Sequence, residues 1–202
     1  MTETEQLLTA AVAHVAASAH PGSAPLPAPA TREAVARAEA ALGFSLPPLL
    51  AGLYLRIADG GFGPGYGLLS LDAAVAAYLD GRGTNRAGAE GEDGADGDGD
   101  SADGGWGWPE GVFPLADWGC AMLACVDCRS EDEPVLLFEP NPGTVDSAWW
   151  LDSPGLAAWL AGWLDGTAWF EDEDSDMDLP PWPDYRARIA APAGGTVLPA
   201  GA

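Results

Sequence analysis

Cys120, Cys125 and Cys128 are separated by four and then two residues, the opening spacing of a plant-type iron–sulfur ligand set. That cluster needs four thiolates, and the chain has three cysteines; both histidines, His14 and His20, lie far upstream. The cysteines therefore read as small apolar residues on a strand. Asp96, Asp98 and Asp100 alternate like the start of a calcium loop, as do Asp174, Asp176 and Asp178. An EF-hand needs glycine sixth and a bidentate glutamate twelfth. The first run offers Ser101 and Gly107 there, the second Leu179 and Tyr185, so both read as solvated charge. Gly61, Gly63, Gly65 and Gly67 follow a helix and not a strand, and lack the 1-3-6 glycine spacing of a dinucleotide loop. That turn reads as structural. There is no Gly-x-Ser-x-Gly elbow. Carboxylates such as Asp117, Asp127 and Glu139 are too abundant to single out an acid–base pair. The chain predicts no metal, no cofactor and no catalytic residue.

Charge narrows the function classes further. Thirty-one acidic residues face eight arginines and no lysine, a net charge of -23. The missing lysine removes the P-loop and Schiff-base chemistries. A field of that sign repels nucleic acid and anionic membrane, and attracts basic proteins. Hydrophobic residues make up 48% of the chain, ample for a core. The acidic start, Met1 to Glu5, lacks the basic head and apolar run of a secretory signal, and no stretch is long enough to span a membrane. With an odd number of cysteines, the expectation is a cytoplasmic protein with reduced thiols.

The elements that must hold these residues are legible in outline. Residues 1–20 carry a weak helical pattern, and 20–30 a Pro/Ala linker, so residues 1–30 read as a loosely docked arm. Thr31 caps a helix to Leu42, and Gly43 stands where a left-handed C-cap belongs. Ser45 and Pro47 open a second helix that Asp59-Gly60-Gly61 stops. Residues 67–71 form a short strand candidate, and Asp72 caps a helix to about Leu79. Residues 82–105, dominated from Gly88 by Gly, Asp, Glu and Ala, cannot bury enough surface to offset ordering and read as a disordered acidic insertion. Apolar runs at 112–115, 120–126, 135–138 and 148–151 predict a meander. Ser153 with Pro154 opens a helix whose Leu156, Trp159, Leu160, Trp163 and Leu164 share one face, ended by Gly166. Residues 171–202 read as an acidic, then Pro/Gly/Ala-rich, tail. The prediction is α+β: one domain over 31–170, with a mostly antiparallel sheet and helices packed on one face.

The run Leu42-Gly43-Phe44-Ser45-Leu46-Pro47, followed by a helix ending at Asp59-Gly60-Gly61, resembles the N-terminal signature of the SUKH superfamily. Val112 to Cys120 is similar to that family's strand–turn–strand segment, 134–139 to its next strand, and 153–164 to its closing helix. The resemblance covers about 31–166, with Asp59 at the usual asparagine position. It implies a non-enzymatic α+β domain that binds proteins. Many bacterial members are immunity proteins that neutralise nuclease or deaminase toxins, and others are regulatory modules.

Charge and resemblance converge on a non-catalytic, cytoplasmic module that neutralises a basic toxin by stoichiometric binding. Expected contacts are Asp59, Asp117 and Trp118, with Asp96, Asp98 and Asp100 steering the partner. Trp106, Trp108 and Trp118 sit in loop-like contexts, where they either meet a partner or cap the sheet's open end. A regulatory module of the same fold without a toxin is the alternative, and a carboxylate or metal-dependent enzyme a second one.

Overall fold

A computed structural model of the chain describes residues 2–18, 24–89, 108–142, 147–168 and 179–190. Six helices and four strands follow in the order α1 (Glu3–Ser18), α2 (Arg32–Leu42), α3 (Pro48–Arg56), α4 (Leu71–Ala89), β1 (Val112–Gly119), β2 (Met122–Asp127), β3 (Val135–Phe138), β4 (Trp149–Ser153), α5 (Leu156–Asp165) and α6 (Tyr185–Ala190). The four strands form an antiparallel meander in the order β1-β2-β3-β4. The fold is α+β.

Local chemistry accounts for the first elements. The Thr31 side chain accepts the Ala34 N–H at 3.1 Å, and Gly43 ends α2 at φ 79°. The Glu39 carboxylate then accepts the Leu46 N–H at 2.9 Å and ties α2 to the start of α3. The start of α4 differs from the expected Asp72 cap. Ser70 Oγ accepts the Ala73 N–H, while Asp59 Oδ1 reaches across the turn to accept the Leu71 N–H at 2.9 Å. Two of the helix's orphan donors are thereby satisfied.

α4 also runs past its expected end near Leu79. Gly81 lets Trp108 press against the helix, since an added Cβ would lie 2.8 Å from the indole, and Arg82 donates to the Trp108 carbonyl at 2.8 Å. These contacts hold the helix at Gly81 and Arg82, past its expected end, and α4 extends to Ala89. The remainder of the expected insertion, 90–105, lies outside the described residues.

α5 starts later than expected. β4 pairs with β3 as far as Val135 opposite Ser153, which commits Ser153 to the strand. Gly155 takes the cap position without a side-chain bond, and the Glu133 carbonyl accepts the Leu156 N–H at 2.9 Å.

The described parts of the terminal segments pack on the body. α1 was expected to be a loose arm, yet Leu8 and Ala11 are buried. Glu5 pairs with Arg56 of α3, and His14 packs against Trp163 of α5 with centroids 4.7 Å apart. Leu8 fits because Gly52 leaves room for it: an added Cβ there would come within 2.6 Å of Leu8 Cδ1. Residues 179–190 likewise depart from the expected tail. The Leu151 N–H donates to Pro180 O at 2.8 Å and the Trp182 N–H to Trp149 O at 3.0 Å, so this segment lines the outer edge of β4. Trp182 and Tyr185 then join Trp149, Phe138 and Trp108 in one aromatic cluster. Arg188 locks α6 down through Asp127, which is buried at the end of β2.

Candidate partner-binding surface

β1 ends in the tight turn that carries Asp117, Trp118, Gly119 and Cys120. Gly119, Cys120 and Ala121 all have positive φ, at 78°, 50° and 65°. The turn is held by its own aspartate, whose Oδ1 accepts the Gly119 N–H at 2.7 Å. The glycine-rich segment before α4 lies alongside. The Tyr66 N–H donates to Asp117 O at 2.9 Å, and the Asp117 N–H to Gly67 O at 3.3 Å. Trp118 packs beneath Gly65, where an added Cβ would meet the indole at 2.6 Å. Tyr66 stands over Gly119, with its ring 2.7 Å from where a Cβ would be, and is 77% exposed. Close backbone approach at Gly65 and Gly119 thus presents one large aromatic side chain to solvent beside a carboxylate.

Asp117 and Trp118 share this surface, half-buried. Asp59 is half-buried, and its carboxylate accepts the Leu71 N–H at the start of α4. Beneath it, burial and then the Asp59 charge push the Tyr54 hydroxyl far up, and that hydroxyl donates to Leu69 O at 2.9 Å. Asp96, Asp98, Asp100 and Trp106 lie outside the described residues. Trp108 is buried and donates its indole N–H to Val112 O at 2.9 Å, so it caps the core. Tyr66 is the residue that sequence reasoning passed over. Its signal was an aromatic residue alone among glycines, where no apolar neighbour could bury it.

Cys125 and Cys128 offer little nucleophilic chemistry. Cys125 is buried on β2, and burial raises its thiol well above the ordinary value. Cys128 is raised by burial, then by the Asp127 and Glu133 charges. Thiols held protonated are poor nucleophiles and poor ligands. Cys120 is exposed in the turn and not on a strand. Among the described residues no group of three or more His, Cys, Asp or Glu could hold a metal ion, and no helix is long and apolar enough to cross a membrane.

No curated protein matches this chain. Residues 29–162, about two thirds of its length, match the model of the SMI1 / KNR4 family (SUKH-1), and the chain belongs to that family.

Proposed function

We propose that this protein is a non-catalytic, immunity-type binding domain that acts in the cytoplasm and neutralises a basic toxin by stoichiometric contact through Tyr66, Asp117 and Trp118. Family membership supports a protein-binding role. The observation that carries the proposal is the exposed Tyr66 ring beside the Asp117 carboxylate on a body of net charge -23. Interface cores favour tyrosine and tryptophan as anchors, and complementary charge mainly sets partner choice and encounter rate. Burial raises the Cys125 and Cys128 thiols, and the Asp59 carboxylate is engaged at the start of α4.

The test is affinity capture from the native host at low salt with the full chain as bait. A basic protein whose toxicity co-expression relieves is the expected result. Tyr66→Ala should then weaken that complex by about 10–30-fold, the range of an aromatic anchor. Asp117→Asn keeps the turn's acceptor but removes the charge, and should act mainly on the association rate. Capture of a housekeeping protein that is not toxic would favour a regulatory module instead. Turnover by the purified chain, or an anionic native ligand, would overturn the reading.

A further inference from the structure

Beside the β1–β2 turn, Leu137, Pro142, Trp150 and Leu179 wall an open groove of about 380 Å³, with Glu139 and Asn141 on its rim. That volume lies near the lower end of clefts that enclose ligands. Alternation along β3 explains the groove's floor. Leu136 and Phe138 face the aromatic core, so Leu137 points to the other side of the sheet, paired with Trp150 across the strands. Asn141 ties the groove to the turn below Tyr66. Its amide nitrogen donates to Cys120 O at 3.0 Å and to the Glu139 carboxylate, which also accepts the Asn141 backbone N–H at 2.8 Å.

Among the described residues Glu139 is the charged one of the groove's lining, and no arginine lines it. The body around it has a net charge of -23. We propose that the groove docks a leucine-sized apolar side chain flanked by arginines on a basic partner protein, an inference that rests on the protein-binding reading above. A neutral apolar ligand would have no use for the Glu139 carboxylate on the rim. A second copy of the chain would bring the same -23 charge against it. A basic segment with an apolar centre satisfies slot and rim together.

The test uses the full chain, isotope-labelled and titrated with acetyl-Arg-Leu-Arg-amide as probe. Acetyl-Arg-Ala-Arg-amide and acetyl-Glu-Leu-Glu-amide are the controls. The Trp150 indole N–H and the Asn141 amide signals should shift saturably. The leucine peptide should bind at least about fivefold tighter than the alanine peptide, as one buried isobutyl group allows. The glutamate peptide should leave the signals in place, and Leu179→Asn should abolish the leucine preference while sparing alanine-peptide binding. Equal affinity for the two arginine peptides, with shifts spread over all acidic residues, would overturn the proposal. So would equal binding of the glutamate peptide, which marks a purely apolar pocket, or a self-association that moves the same signals. If the groove fails while a basic protein is still captured through Tyr66, the immunity reading stands without it. If the peptides behave as expected but no basic protein is captured, the groove stands and the immunity reading falls.

Discussion

Replacing Arg188 with alanine should unfasten α6 from the sheet. Its guanidinium donates to both Asp127 carboxylate oxygens, with Nη2 at 2.8 Å from Oδ1, and to the Glu110 carbonyl at 2.8 Å. The side chains are 9% and 2% exposed, so water cannot replace the lost partner. Removing one member of such a pair strands the other charge at a cost of about 3–5 kcal/mol. Asp127 would keep one donor, the Arg129 N–H at 3.0 Å, which places the expectation near the lower end, about 3 kcal/mol. The guanidinium carbon also lies 5.7 Å from the Trp182 ring centroid, a cation–π contact of about 0.5–1 kcal/mol that the same substitution removes. For a denaturant slope of about 2 kcal/mol per molar urea, the unfolding midpoint should fall by about 1.5 M. The assay is urea unfolding followed by far-UV circular dichroism. Arg188→Met combined with Asp127→Asn should lose less than Arg188→Met alone, because no buried charge is then left behind. A loss below about 1 kcal/mol for Arg188→Ala, or an additive double-mutant cycle, would refute the claim that this pair holds α6.

Three further outcomes follow from the packing and the turn. Leu8→Ala should cost about 3 kcal/mol by the same unfolding assay, as a core truncation does, and a cost below about 1 kcal/mol would return α1 to a loose arm. Gly60→Ala should cost clearly more than Gly43→Ala. Both sit at positive φ, a strain of about 1–2 kcal/mol, but only at Gly60 would the Cβ strike backbone, 2.7 Å from Ser70 N. Equal losses at the two sites would mean that the Asp59–Gly60 turn yields. Glu133→Gln should stabilise the protein at neutral pH. Partial burial raises the Glu133 carboxyl above its ordinary value of 4.5, so its ionisation opposes folding as pH rises through that range. The gain should shrink as pH falls to about 3.5, where the carboxyl is protonated in both states. A melting temperature that rises equally at both pH values would point to a different cause.

What could be read from the sequence was whatever a few adjacent residues decide. Thr31 and Gly43 bound α2 because a cap hydroxyl and a left-handed glycine act within one turn. β3 was legible to the residue because its apolar run stops at Pro134 and Glu139. The failures share a cause as well. That α4 continues past Leu79 rests on Trp108, nearly thirty residues further on, which packs at Gly81 and accepts from Arg82. Whether α1 docks depends on the missing side chain at Gly52. Arg188 gives no hint in its neighbours that it reaches Asp127, sixty-one positions away. At the surface, the Asp117–Gly119 turn was recognisable from an aspartate two residues before a glycine. The exposed aromatic beside it was not, because Tyr66 arrives there through backbone bonds to β1 that no local pattern encodes.

How both edges of the sheet are covered limits how this domain can meet a partner. An open edge strand offers unpaired N–H and C=O groups, and strand addition is a common mode of peptide capture. Here the outer side of β1 bonds to residues 66–69, through the Leu69 N–H to Leu115 O at 3.0 Å and the Tyr66 and Asp117 contacts. The outer side of β4 bonds to residues 180–182, and Pro181, which lacks an N–H, sits opposite Trp150. A partner adding a strand at either place would first have to displace a segment that buries Leu68 or Trp182. Side-chain contact at the turn end of the sheet carries no such penalty. Tyr66, the Asp117 carboxylate and the Glu139-rimmed groove all lie at that end, joined through Gly119, Cys120 and Asn141. The segment that covers the β1 edge is therefore the same one that presents Tyr66, so a substitution that loosens residues 66–69 should weaken partner binding even where it touches no partner.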